Sequence, residues 1–291
     1  MHPAPSVILF TVLSGMGFGA LAFLGLGQPA PQGLWAFIHW GLGYGLAVGG
    51  LLASTFHLGN PQRFLRAFSQ WRSSWLSREA WTSVATLLLL APVALSDIFG
   101  LGWPRGLGVA GAVLAGATIL ATAMIYGQMK SIPRWNHWTT PALFFSFALT
   151  GGAIVTGHWR LTAVFALGLF AALIASFVLG DQQFAKRGST IGTATGLDRI
   201  GAAAVFELPH TGDNYLLREM IYVVGRKHSR KLRAVAVIAS TLLPVVILLV
   251  LPDHWLTFAF AALVHLLGAV TARWLFFAEA EHVVGLYYGK R

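Results

Sequence analysis

Residues 34–79, LWAFIHWGLGYGLAVGGLLASTF-HLGNPQRFLRAFSQWRSSWLSRE, decide how this chain folds. Their first half is an unbroken apolar run of bilayer-spanning length. Their second half, 57–79, is polar, aromatic and basic, opened by His57 and closed by Glu79. After Glu79 a second apolar run begins. A polar connection between two such runs places titratable groups where the spans meet the membrane surface.

Working outward, runs near the ~20 apolar residues needed to cross ~30 Å of hydrocarbon recur along the chain. Eight are expected, at about 5–27, 34–56, 80–97, 106–127, 139–157, 161–180, 234–252 and 255–277. Backbone amides in lipid must be satisfied within the segment, so the runs read as helices. The strands of a barrel would be short and alternating, and these are neither. Charged residues make up 10% of the 291 residues, against about a quarter in soluble proteins, which excludes an ordinary soluble domain. The fold class is therefore an all-α integral membrane protein: one polytopic domain, 1–291, of eight transmembrane helices, open to division into two four-helix halves. The N-terminus has no basic region and no small-residue cleavage site, so it reads as the start of helix 1 and not as a signal peptide.

Glycine falls at helical spacing, at Gly15 and Gly19 in the first run and Gly41, Gly45 and Gly49 in the second. Small residues four apart let helices approach closely where the solvent is itself apolar. In the 57–79 connection Phe64, Leu65, Phe68 and Trp71 share one helical face, with Arg63, Arg66 and Arg72 largely off it. A short helix lying in the interface plane is expected there. A second is expected over 214–222 in the 181–233 connection, ahead of the basic cluster Arg226, Lys227, Arg230, Lys231 and Arg233.

With eight spans, both termini and the 2–3, 4–5 and 6–7 connections share one side. That side holds 17 of the 20 Lys and Arg residues; Arg105 and Arg160 are opposite, and Arg273, about one turn inside the last span, reads as a snorkelling anchor. The positive-inside rule puts the basic side in the cytoplasm; docking of a partner subunit is the competing explanation. The net charge of +10 suits anionic headgroups or an acidic partner surface. No nucleic-acid motif accompanies it.

No cysteine is present, which excludes an iron–sulfur cluster, a disulfide or a thiol nucleophile in this chain. Ionisable groups near the hydrocarbon are functional candidates. His57, Glu79 and Arg78, Tyr126 at the end of span 4, and His2 and Ser14 from span 1 lie towards the basic side, at depths that could line one pocket among spans 1–4. A quinone suits such a pocket: its carbonyls take hydrogen bonds, its ring packs on apolar side chains, and its interconversion with quinol moves two protons. Histidine and carboxylate are the usual relays. Bland readings stand beside this one. His57 can cap a helix C-terminus, Glu79 and Arg78 can be a helix-start charge and an anchor, and Tyr126 with the tryptophans can form the interfacial belt. Haem would need paired imidazoles. His39, His57, His265 and His282 are on or near spans, yet no pair at matched depth is evident, so neither haem nor a metal site is expected.

Three blocks, MHPAPSVILFTVLSGMGFG at the start, HLGNPQRFLRAFSQWRSSWLSRE in the middle and PHTGDNYLLREMIYVVGRKHSRKLR late, resemble the membrane-anchor subunit of dimethyl-sulfoxide-reductase-type molybdoenzymes, the DmsC family. The resemblance runs from residue 1 into the last spans. It implies an eight-helix anchor without a resident cofactor in a bacterial cytoplasmic membrane. Such an anchor exchanges electrons between a quinone, ubiquinone or menaquinone, and a four-cluster iron–sulfur subunit, which serves a molybdopterin catalytic subunit. It implicates His57 and Glu79 in proton exchange with quinone. The typical reductase anchor has periplasmic termini, whereas the charge pattern puts these termini in the cytoplasm. That is similar to relatives serving cytoplasmic sulfite dehydrogenases, in which sulfite reduces quinone. On this reading Arg63, Arg66, Arg72, Arg226, Lys227 and Arg230 face the partner subunit. The alternatives are an anchor oxidising quinol for a dimethyl sulfoxide reductase, a structural anchor with quinone chemistry at the partner interface, and a secondary transporter. The last would want broken spans and mid-membrane charge.

Overall fold

Helix α1, Pro5–Gly25, is the axis of the molecule, packed against α2 (Gly33–Thr55), α4 (Gly106–Gly127), α5 (Thr139–Val155) and α11 (Trp255–Ala278). The computed structural model describes residues 1–56, 59–207, 212, 214–221 and 228–289. Among these it is all helical. α3 is Trp75–Phe99 and α6 is Trp159–Arg187; short helices α7, Ile191–Thr195, and α8, Tyr215–Glu219, follow. α9, Ser229–Val237, passes through a π turn, Ile238–Leu242, into α10, Leu243–Val250.

Seven of these helices, counting Ser229–Val250 as one, are long and apolar enough to cross a membrane. The eighth expected span, at 139–157, forms a 17-residue helix, about 25 Å at 1.5 Å per residue. That is short of the ~30 Å hydrocarbon layer. α3 begins five residues before the expected 80, because Ser74 caps it by accepting from Ser77 N. α6 continues past 180 to Arg187 before Gly188, in the left-handed region at φ 60°, ends it. The 57–79 connection contains a 3-10 helix, Pro61–Phe68, on which Phe64 and Leu65 are exposed. α8 is capped by Asn214, whose side chain accepts from Leu217 N.

The glycine expectation needs correction. Gly15, Gly41, Gly45 and Gly49 border open space, and of the five only Gly19 is at a close approach. A methyl at Gly19 would lie 1.9 Å from Ala148 O on α5, and one at Gly17 would lie 2.2 Å from Ala47 N on α2. The buried face of α2 is Ala36, Trp40, Gly43, Ala47 and Gly50, a 4-3-4-3 spacing of the kind that lines a helix–helix seam. On α2, spacing by four picked out the wrong face; on α1 it held for Gly19 and not for Gly15.

Both ends of the bundle are tied by ions. At the basic end Arg233 pairs with Asp181 on α6 (2.6 and 2.8 Å) and with Glu279 (2.7 Å). Arg134 pairs with Asp181 and, at 3.3 Å, with Glu279. At the opposite end the buried Asp97 takes two bonds from Arg105 (3.0 and 2.8 Å) and one from Trp40 Nε1 (3.0 Å).

Candidate functional site

The first turn of α3 divides the two charged residues that close the 57–79 connection. Ser77 is buried and accepts from Gln70 N at 3.2 Å, which fastens the connection to the helix. One position on, half-buried Arg78 turns outward. Its guanidinium donates to Trp71 O (3.1 Å) and Arg72 O (2.7 Å) and lies 4.3 Å from the Trp75 ring centroid. The next residue, Glu79, points inward, with 4% of its surface exposed. Its Oε1 accepts from the Thr122 hydroxyl on α4.

Tyr126, one turn beyond Thr122, is buried in an aromatic cage. Trp135, Phe276 and Phe277 meet it edge-on at 5.3, 5.5 and 5.5 Å, and Phe144 lies at 5.7 Å. From α11, Arg273 brings its guanidinium carbon 3.7 Å from the Phe144 centroid and 5.4 Å from that of Phe276. Arg273 is 4% exposed and therefore does not snorkel; its stem and head are enclosed by α4, α5 and α11. Glu79 and Arg273 both lie within electrostatic range of Tyr126. Glu79 is about 6 Å from the start of α3 and Arg273 about 7.5 Å from the end of α11. The acid and the cation thus lie at similar depth below the basic end, with the phenol about one turn of α4 nearer that end than Thr122.

Deeper in α11, His265 is wholly buried and its Nδ1 lies 2.7 Å from Ser240 O. Proline explains this bond. Pro244 has no N–H to give the carbonyl four residues back, which is that of Ser240. The helix widens into the π turn there, and His265 supplies the missing donor. Because a carbonyl only accepts, Nδ1 carries the proton and Nε2 of the neutral ring is an acceptor.

A narrow cavity of about 10 Å³ lies among α1, α4, α5 and α11, lined by Thr11, Ser14, Thr122, His265 and Arg273 among others. Ser14 reaches it, buried, with its hydroxyl donating to Phe10 O at 2.6 Å. The structure thus brings together Glu79, Tyr126 and, through the cavity, Ser14. Arg78 is directed to the connection. The backbone N–H of His2 donates to Glu219 O at 2.7 Å, beside α8. His57, Arg226 and Lys227 lie outside the described residues. Arg63, Arg66, Arg72 and Arg230 are exposed at the basic end.

A second concavity, apolar and about 670 Å³, opens between α2, α5 and α11 at the arginine-poor end, with Met16, Trp35, His39, Leu42 and Trp255 among the residues that line it. His39 Nδ1 is 2.8 Å from Trp35 O. Nearby His158 is held below the ordinary imidazole range by burial and then by His39. Among the described residues no group of three or more His, Cys, Asp or Glu side chains is placed to hold a metal ion.

Sequence reasoning missed Thr122 and misjudged Arg273. Thr118, Thr122 and Tyr126 recur every fourth residue on α4, and that stripe was the available signal for the first. Nothing local distinguished Arg273 from a snorkelling arginine.

Residues 1–279 match the family described as DMSO reductase anchor subunit (DmsC). The chain is 28% identical to a sulfite dehydrogenase subunit of Allochromatium vinosum, with 99% of each chain covered. No solved structure matches it.

Proposed function

Since the chain belongs to the DMSO reductase anchor subunit family, we propose that it is the quinone-reactive anchor of a sulfite-oxidising molybdoenzyme. It would pass electrons from a four-cluster iron–sulfur subunit to ubiquinone or menaquinone. The similarity to a sulfite dehydrogenase subunit along both chains supports the substrate. The concentration of Lys and Arg on one side supports an inner-membrane anchor with eight crossings, both termini and the docking face in the cytoplasm. On that topology the 3-10 helix Pro61–Phe68 and α8 lie in the interface plane. Exposed Arg63, Arg66, Arg72 and Arg230, with Arg226 and Lys227, face the partner.

The observation that carries the reading is Glu79: a carboxyl buried in the first turns of α3, held by the Thr122 hydroxyl, with no cation within ion-pair distance among the described residues. A buried acid with one neutral partner is poised to exchange a proton. Reducing a quinone takes two electrons and two protons, one proton to each carbonyl oxygen. In this scheme Glu79 gives one proton and is reprotonated from the cytoplasmic side, and His57 handles the other. Tyr126 fixes the depth of the site through its aromatic cage. The electrons enter from the partner subunit, and no residue of this chain changes oxidation state.

A second placement has one observation in its favour. The apolar groove between α2, α5 and α11 has a volume usual for small-molecule sites, and His39 lies in its wall. A photoreactive quinone bound to the intact complex separates the two. Labelling of 57–79 and the adjoining ends of α3 and α4 supports the Glu79 site. Labelling of Trp35–Leu46 and Trp255–Leu266, with 57–79 untouched, refutes it.

A further inference from the structure

Two nitrogens in the bundle core, Arg273 Nε and His265 Nε2, are buried without a hydrogen-bond partner among the described residues. Such groups are costly to leave unpaired, and the residues that carry both line the same narrow cavity. Their chemistry is complementary. Arg273 Nε–H can only donate. His265 Nε2 accepts, because Nδ1 is committed to Ser240 O at 2.7 Å. The volume, about 10 Å³, is close to the minimum for one water and far too small for a quinone ring. The remaining polar lining is hydroxyl: Thr11, Ser14 and Thr122. Thr122 also donates to Glu79, so the cavity is one hydroxyl away from the buried acid.

Arg273 sharpens the case. Among the described residues no carboxylate lies within ion-pair distance of it, and its cation rests on the faces of Phe144, Phe276 and Phe147. Stacking offsets only part of the cost of burying a charge. A counter-charge on Glu79, linked through a polar medium, would complete the compensation.

We propose that this cavity is a built water site that connects Glu79, through the Thr122 hydroxyl, to the cation of Arg273 and the acceptor nitrogen of His265. The bound water accepts from Arg273 Nε–H or donates to His265 Nε2, and exchanges hydrogen bonds with the hydroxyls between them. When Glu79 gives its proton to quinone, Arg273 steadies the carboxylate left behind, and a proton entering from the cytoplasmic side reaches it through the water–hydroxyl chain. Arg273 is a positioning residue in this scheme. The role rests on the quinone reading of Glu79; the hydration of the cavity does not.

The test uses the intact complex in lipid. A cryo-EM map that resolves waters should show density within hydrogen-bond distance of Arg273 Nε or His265 Nε2; a dry cavity overturns the proposal. In the same preparation, Arg273→Met should slow quinone-linked turnover about tenfold or more, since a positioned proton donor contributes on the order of 10²-fold or above. The solvent deuterium isotope effect should rise, and Arg273→Lys should recover much of the loss. Turnover and isotope effect equal to the parent complex in Arg273→Met would sink the relay. If that variant does not assemble, Thr122→Val, which keeps the shape and removes the hydroxyl, should give the same rise; an unchanged isotope effect there overturns the relay equally. A complex with normal quinone turnover in Glu79→Gln but a hydrated cavity would refute the quinone reading while leaving the water site standing.

Discussion

Replacing Gly19 with alanine tests the axis of the bundle. The added methyl would lie 1.9 Å from Ala148 O, where a close carbon–oxygen contact needs ~3.3 Å. The shortfall is roughly 1.4 Å, and the atom met is backbone, which cannot swing aside. α1 and α5 must separate, and α1 also touches α2, α4 and α11. Overpacking of a tight core costs ~1–3 kcal/mol, set against the few tenths to 1 kcal/mol that alanine gains over glycine in a helix. At roughly 2–4 °C per kcal/mol for chains approaching this size, the purified protein should lose several degrees in thermal unfolding. Gly15→Ala is the internal control: four residues away in the same helix, it meets nothing within 4 Å and should be neutral or slightly stabilising. Equal melting of the two variants would refute the packing described for α1.

Arg233→Met removes two bonds to Asp181 and one to Glu279. Asp181 is about half exposed, so most of the loss falls on enclosed Glu279; about 2 kcal/mol of destabilisation is expected in thermal unfolding. Recovery in Arg233→Lys should be partial because the planar fork is lost, and a melt unchanged in Arg233→Met would show the network to be idle. For orientation, a reporter fused after Arg291 should be active only as a cytoplasmic fusion. A periplasmic signal would reverse the docking face and return the chain to the quinol-oxidising branch.

The apolar runs were legible because each helix is satisfied internally in lipid; the run at 106–127 has the observed bounds of α4, and the ends of the others differ by up to seven residues. The differences have identifiable causes, one local and one long-range. α3 starts early because Ser74 caps it, and α6 runs on through Asp181 because ion pairs to Arg134 and Arg233 reward the extra turns. Which glycines pack was not legible from spacing by four, since Gly15 and Gly19 share a face yet only Gly19 meets a neighbour. The 4-3-4-3 series on α2 carried that information. Glu79 was legible as a candidate because it closes a polar connection. The Thr118–Thr122–Tyr126 stripe marks a face of α4, but that Thr122, 43 positions on, meets Glu79 depends on α3 and α4 packing together, which no local pattern encodes. The burial of Arg273 likewise depends on Phe144 and Phe276 meeting from different helices.

Removing the acidic proton of Glu79 tests most directly whether that group supplies the proton that the proposed quinone reduction requires. Glu79→Gln keeps the shape and an oxygen for the Thr122 hydroxyl but cannot release a proton in the same way. In the assembled complex, electron transfer from the catalytic subunit's substrate to a soluble artificial acceptor should be unchanged. Quinone-linked turnover should fall on the order of 10²-fold or more. Quinone-linked turnover at the parent rate, in a complex assembled to the parent level, would contradict the account.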